Sequence, residues 1–242
     1  MRPDRARCTA STTSTASSAL ALGLALLPAI ALTVALTAQD AGVHPISGRR
    51  IAPVMGYQGA DWLERPERVE EEAPDTALAV LKIQKGDAVA DIGAGSGYMT
   101  VRLAQRVGPT GRVYANDLQP QMLRMLKDRV ARANLTNVVP VEGAPDDPKL
   151  AAASVDLELL VDVYHEFRQP QAMLRHLRAA LKPGGRLVLL EYRKEDPTIP
   201  IRFEHKMSVA EARMEVEAEG FTLSQVDESL PRQHILIFTV KP

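Results

Sequence analysis

Apolar residues between positions 74 and 240 come in two alternating rhythms. Short, nearly continuous runs at Ala88–Ile92, Arg112–Asn116, Val138–Val141, Val155–Val161 and Arg186–Tyr192 have the length and makeup of buried strands. Between them, apolar positions three to four apart mark helices. Leu78, Val80 and Leu81 belong to a short helix opened by Pro74-Asp75 and ending near Lys85-Gly86. Tyr98–Val107 is stopped by Gly108, and Gln121–Ala133 carries Met122, Leu123, Leu126 and Val130 on one face. Gln171–Leu181 is closed by Lys182-Pro-Gly-Gly185, and Ser208-Val-Ala-Glu211 is a capping box that opens a last helix running to Gly220. Phe221–Val226 and His234–Val240 follow without room for a helix between them, so they pair antiparallel. The alternation predicts an α/β fold: a seven-stranded, mostly parallel sheet with an antiparallel last strand and helices on both faces.

The first 70 residues read differently. Residues 1–18 are rich in Arg, Ser and Thr, and Ala19–Ala38 is 20 residues without a charge. This is the pattern of a secretory signal, with Thr33-Val-Ala35 as a fair cleavage site, and the run is long enough to span a bilayer uncleaved as an anchor. On this reading the chain is exported (periplasmic or secreted) or membrane-anchored; a start at Met55 would instead make it cytoplasmic. Residues 39–70 are expected to form an extended entry or lid segment, and residues 71–242 the main domain.

Composition narrows the chemistry. The chain has 242 residues, 45% hydrophobic and 24% charged, enough for one sizeable α/β domain. A formal net charge of -1 and no basic run rank a nucleic-acid partner low. The only cysteine, Cys8, lies in the leader, which excludes Cys-ligated zinc, Cys nucleophiles and disulfides from the folded part. No metal-ligand set is read from the sequence.

The candidate chemistry centres on Asp91-Ile-Gly-Ala-Gly-Ser-Gly97, at the end of the first strand. The dinucleotide fingerprint needs a third glycine at 98, where Tyr98 stands, and a phosphate loop needs a Gly-Lys-Ser/Thr that is absent. The D-x-G-x-G-x-G pattern, Asp117 after the second strand, Lys-Pro-Gly-Gly before the fifth and the antiparallel last strand together resemble the class I S-adenosylmethionine-dependent methyltransferases. The resemblance covers roughly residues 70–240. Within that family it is strongest to bacterial small-molecule enzymes, including the ubiquinone/menaquinone C-methyltransferase-like branch. Exported relatives share His-Pro-Ile-Ser-Gly-Arg near the start and Tyr-His-Glu-Phe after the fourth strand.

The resemblance implies a Rossmann-like fold, S-adenosyl-L-methionine as cofactor, and a small-molecule acceptor, lipophilic if the chain is membrane-associated through its N-terminal segment. Gly93, Ala94, Gly95 and Gly97 let the backbone approach the cofactor. Asp117, with Leu118 beside it, is placed to accept from the ribose hydroxyls, and a helix N-cap competes for its carboxylate. Asp91 and Asp162 bring negative charge to the ammonium and sulfonium, and Asp146 or Asp147 is expected at the adenine amino group. For the chemistry, His165 is the candidate base, Glu166 its orienting partner or a cation site, and Tyr192 a neighbour at a strand end. Tyr164 and Phe167 pack against the cofactor or belong to the core; Trp62 lids the cofactor or plugs the domain. Arg202, His205, Arg232 and His234 are further candidates, the last pair reading more readily as a solvated strand start. A non-catalytic cofactor-binding scaffold and an NAD-dependent oxidoreductase are the competing functions.

Overall fold

The structure, a computed structural model, describes residues 42–241. Strands β1 (Ala88–Ile92), β2 (Arg112–Asp117), β3 (Val138–Glu142), β4 (Val155–Val161), β5 (Leu181–Tyr192), β6 (Phe221–Asp227) and β7 (Gln233–Val240) form one sheet. Their order is β3-β2-β1-β4-β5-β7-β6. β1 to β5 pair parallel; β7 runs antiparallel to both β5 and β6. The predicted α/β sheet is therefore present in full.

Side chains alternate across the central strands and both faces are covered, which is why these runs are apolar on both faces at most positions. Leu187 and Leu189 of β5 join Leu236 and Phe238 of β7 under helices α6 (Pro170–Ala180) and α7 (Val209–Glu217). Val188 and Leu190 pack on the other face, with Val89, Leu157 and Leu159, under α3 (Pro74–Leu81) and α4 (Tyr98–Val107). Helix α5 (Pro120–Arg132) covers the β2–β3 side through Met122, Leu123 and Leu126. Edge strand β3 accommodates Pro140, which cannot donate to a ladder. Ser208 caps α7 as expected: its hydroxyl accepts from Glu211 N at 3.1 Å, and Glu211 reaches back to Ser208 N at 3.1 Å.

Beyond shifts of one to three residues at helix ends, such as α7 stopping at Glu217 rather than Gly220, two boundaries differ from the sequence reading. Helix α3 stops at Leu81, where Lys82 turns left-handed (φ 50°), rather than near Gly86. Lys182-Pro-Gly-Gly185 is a bulge inside β5 and not a loop before it. Leu181 pairs with Val155 and Arg186 with Leu157, so the strand starts ahead of the glycines.

The entry segment also differs: it is not extended throughout. Helices α1 (Ala60–Leu63) and α2 (Arg68–Glu72) occupy its second half. Its first half is bound into the domain. Arg49 forks onto Glu215 of α7, with Nε and Nη2 each 3.0 Å from a carboxylate oxygen, and both side chains are buried. Its Nη1 donates to the His165 carbonyl at 3.0 Å, and Ala52 N donates to the same carbonyl at 3.1 Å. His44 Nε2 lies 3.4 Å from Glu215. The His-Pro-Ile-Ser-Gly-Arg stretch is thus a tether between α7 and the loop after β4. The expected leader at 1–38 lies outside the described residues; among those residues no helix is long and apolar enough to cross a membrane.

Removing one half of a buried ion pair strands the other charge in a poorly solvated site. Arg49→Ala is expected to lower the unfolding free energy by about 3–5 kcal/mol in urea titrations, and Arg49→Met with Glu215→Leu to recover most of it. A loss below about 1 kcal/mol for Arg49→Ala would mean the tether adds little.

Candidate functional site

In a parallel sheet the connections leave β1 and β4 toward opposite sides, which opens a crevice beyond their carboxyl ends. A cavity of about 850 Å³ occupies that crevice. Its wall combines the glycine loop after β1, the end of β2, the loop after β4, the end of β5, the entry segment and the segment around Pro200–His205.

Gly93 and Gly95 line the cavity, both with positive φ (69° and 55°). Gly93 is required twice over: besides its φ, a Cβ there would sit 2.3 Å from Val163 Cγ2 in the loop after β4. The floor of the crevice is therefore backbone. Ala94 and Gly97 lie behind this wall. Ala94 N donates to Asn116 O at 2.8 Å, and Gly97 begins α4 where a Cβ would press on Leu126 at 3.1 Å. Their contribution is to the turn and its packing on α5. Asp91 is also behind the wall rather than on it: it is buried, and Thr100 Oγ1 donates to it at 2.5 Å. Burial pushes its carboxyl up to about 6, against the opposing Thr100 bond and Arg68.

Asp117 and Leu118 do line the cavity. Asp117 accepts from Gly95 N at 2.9 Å through one oxygen and from Gln119 N at 2.8 Å through the other. Gln119, not Asp117, is the N-cap residue of α5, so the carboxylate ties the glycine loop to the start of that helix. Burial raises its pKa despite those N–H donors. Neither Asp146 nor Asp147 reaches the cavity; Ala144 and Pro145 take that stretch of wall. Asp146 offers its carbonyl to His176, and Asp147 closes a turn onto Lys149. The expected carboxylate at the adenine end is absent among the described wall residues, because the Pro145 turn carries both aspartates outward.

Asp162 lines the cavity in a left-handed conformation (φ 53°). Gln233 Nε2 donates to its Oδ2 at 2.7 Å, while the buried Oδ1 has no hydrogen-bond partner. Burial, then Glu72 and Glu191, raise its pKa well above the ordinary carboxylate range. A cation nearby would relieve that arrangement. Tyr192, also on the wall, donates to Glu72 at 2.9 Å; burial holds its phenol protonated far beyond neutral pH. Arg68 pairs with Glu72 at 2.7 Å, stacks on Tyr98 and lines the same space.

His165, Glu166 and His205 meet on the opposite wall. His165 sits in a short 3-10 turn, Tyr164–Glu166, and is 1% exposed. Its Nδ1 lies 2.5 Å from Glu191 Oε2; a carboxylate only accepts, so Nδ1 carries the proton and Nε2 faces the cavity groups. Glu191, not Glu166, orients the ring. Burial works against the imidazolium, but Glu191, Glu166 and Asp162 outweigh it and raise the His165 pKa. His205 Nδ1 is 3.1 Å from His165 Nε2, and burial together with the His165 charge pushes it down to about 4. Burial pushes Glu166 up to about 7, against His165 and the Met55 N–H that donates to it at 3.1 Å.

Of the other candidates, Phe167 and Arg202 reach the wall, and Tyr164 is core. Trp62 is 40% exposed at the rim, under the Arg65 guanidinium. Arg232 pairs with Glu71 outside the cavity. His234 is not at a solvated strand start: it is buried between Glu228 at 2.6 Å and Glu195 at 3.0 Å. Sequence reasoning missed Glu191 and Gln233. The signal for Glu191 was present, since a carboxylate inside the apolar run Leu187–Tyr192 must find a buried partner.

Residues 89–185 match the family described as a methyltransferase domain. Over 123 residues the chain is 30% identical to the ubiquinone/menaquinone biosynthesis C-methyltransferase of Pseudoalteromonas translucida, covering 50% of this chain and 49% of that protein. It is 27% identical to the demethylmenaquinone methyltransferase of Listeria monocytogenes, covering 51% of each. The chain thus spans about half the length of the curated relatives it matches. A solved structure of a SAM-dependent methyltransferase from Aquifex aeolicus superposes with a TM-score of 0.73 over 77% of this chain and all of that one, at 24% identity. The resemblance read from the sequence therefore holds: the matched region is a methyltransferase domain on the class I fold, and that domain implies S-adenosylmethionine as cofactor.

The raised Asp91 pKa carries a pH signature. The folded protein holds that proton more tightly than the unfolded chain, so stability is fully present below about pH 4 and is lost as pH rises through about 6. Asp91→Asn should gain on the wild type across that window in urea unfolding, with the gap constant above it. Parallel stability curves from pH 4 to 7 would contradict the assignment.

Proposed function

We propose, on the premise of this methyltransferase domain, that the chain transfers a methyl group from S-adenosylmethionine to a small molecule with an apolar body and an ionisable group. One observation carries the reading. A single cavity of about 850 Å³ has the glycine loop and Asp117 at one wall and the His165–Glu191 pair at another. That volume lies near the top of the range of about 300–1,000 Å³ for small-molecule sites, enough to hold a cofactor beside an acceptor.

The residues fit the cofactor. Gly93 and Gly95 leave backbone at the floor, and the Asp117 carboxylate suits two hydroxyls. Asp162 has a buried, unpartnered carboxyl oxygen and suits a cationic centre. Arg68 suits a carboxylate, while Leu118, Met122 and Pro145 form an apolar wall for a flat ring. When bound, S-adenosylmethionine supplies an activated methyl group on a positively charged sulfur. Tyr98 stands where a dinucleotide site needs glycine, and its ring is stacked between Arg68 and Arg102, each 4.1 Å away, which disfavours the oxidoreductase reading.

The acceptor's place is beside His165. Glu191 fixes that ring with Nε2 toward the cavity groups, where the imidazole accepts a proton from the acceptor's ionisable group. Val54, Met55, Phe167, Pro200 and Ile201 line the same region and favour an apolar body. The curated relatives named for quinone biosynthesis are consistent with a ring acceptor of this kind.

Asp117→Ala should weaken S-adenosylhomocysteine binding about 10–100-fold by calorimetry, with Asp117→Asn intermediate. In a methyl-donor turnover screen against hydroquinones and phenols, His165→Ala and Glu191→Gln should lower kcat by about 10²-fold or more while cofactor affinity stays within a few-fold. Tight binding without turnover of any acceptor would favour the scaffold function instead, and failure to bind S-adenosylhomocysteine would overturn the proposal.

A further inference from the structure

We propose that His165, Glu166 and His205 form a binding site for a divalent first-row metal ion, of the two-histidine, one-carboxylate type. Neither the family match nor the names of the relatives point to a metal; the geometry does. The three donor atoms are His165 Nε2, His205 Nδ1 and Glu166 Oε1. Their separations are 3.1 Å between the two histidine nitrogens, 3.8 Å from His205 to Glu166 and 4.0 Å from His165 to Glu166. A triangle with these sides has its centre about 2.1 Å from every corner, the bond length of zinc to imidazole nitrogen and to carboxylate oxygen. Three side chains from two separate segments therefore surround one point at coordination distance.

The surroundings match what such a site needs. His165 donates its other ring nitrogen to Glu191 at 2.5 Å, the carboxylate–histidine arrangement that fixes the tautomer and turns Nε2 toward an ion. Met55 N holds Glu166 Oε1 at 3.1 Å, and Arg49 and Ala52 hold the His165 carbonyl, so two of the three ligands are positioned by the entry segment. His205 comes from a second 3-10 turn, Phe203–His205, with its ring 80° to that of His165. Two imidazoles and one carboxylate favour zinc, cobalt, iron or manganese over calcium or magnesium. Protein groups supply three ligands, and all three line the cavity, so the ion would meet the cavity's occupant directly. Its role in methyl transfer rests on the reading given above; the ion site itself does not. With an ion bound, Nε2 of His165 serves as a ligand. An acceptor hydroxyl on the ion would then break its O–H bond with the electron pair left on oxygen and the proton released to water.

The test is a titration of cobalt(II), alone, into the full chain after chelator treatment, read by calorimetry and by the visible ligand-field bands. The expected result is one equivalent bound with nitrogen-ligand bands, competed by zinc(II). His205→Ala and Glu166→Gln should each weaken binding about 10-fold or more, and Glu191→Gln, which leaves all three ligands in place, about 10–100-fold. A cooperative thermal melt and retained S-adenosylhomocysteine binding show that a variant is folded; should His205→Ala fail that control, Glu166→Gln carries the test. The proposal is overturned if the wild type binds S-adenosylhomocysteine but no cobalt, or if folded variants bind cobalt as the wild type does. Cobalt binding that depends on His205 supports the site even where S-adenosylhomocysteine does not bind, and that outcome would count against the methyltransferase reading alone.

Discussion

Four of the five parallel strands bring a carboxylate to the crevice at their ends, and the site is organised by the need to accommodate them. Asp91, Asp117, Asp162 and Glu191 lie at or just beyond the carboxyl ends of β1, β2, β4 and β5. Each is largely withdrawn from water, where an unpaired charge is costly. The fold answers each one separately. Thr100 bonds Asp91, backbone N–H groups of the glycine loop and of α5 bond Asp117, Gln233 bonds Asp162, and His165 with the Tyr164 N–H bonds Glu191. These partners fix the loops that follow the strands. The crevice is therefore an electrostatic construction as much as a gap between helices. The carboxyl groups of Asp117 and Asp162 on its wall suit a ligand carrying positive charge beside hydroxyl groups, which is the character of S-adenosylmethionine.

The second organising element comes from outside the sheet. Arg49 joins α7 to the loop after β4 by bonding Glu215 and the His165 carbonyl together. Six residues on, Met55 N reaches Glu166, and Met55 O accepts from Gln119 beside Asp117. The entry segment thus spans the cavity from the wall with His165 to the wall with Asp117. The wall with His165 and the wall with Asp117 are joined through one stretch of backbone. This accounts for the burial of His44, Arg49, Ile51 and Ala52 within an otherwise exposed, proline- and glycine-bearing segment.

The fold and the glycine loop were legible because their signals are local. Strand and helix periods, capping residues and the offset of Gly97 from the dinucleotide pattern all operate within a few residues. Those readings survive in the structure almost unchanged, apart from the early stop of α3 and the bulge at Lys182–Gly185. The reactive wall was less legible. His165 was singled out by its side-chain chemistry and its place at a strand end. Of the two roles read for the adjacent Glu166, orienting the ring falls instead to Glu191, 26 residues away. The adenine-end aspartates went astray for a similar reason: one proline turn carried them off the wall.

By itself the sequence determined which segments become strands, where the parallel strands end, and which residue types gather there, because burial and backbone hydrogen bonding leave few alternatives for such patterns. Only the tertiary structure decided which groups face one another. His165 with Glu191 and His205, Asp162 with Gln233, and Arg49 with Glu215 each join elements far apart in the chain. No local spacing encodes them, since a side chain's orientation at a strand end is settled by the charge or donor that the rest of the fold brings within reach.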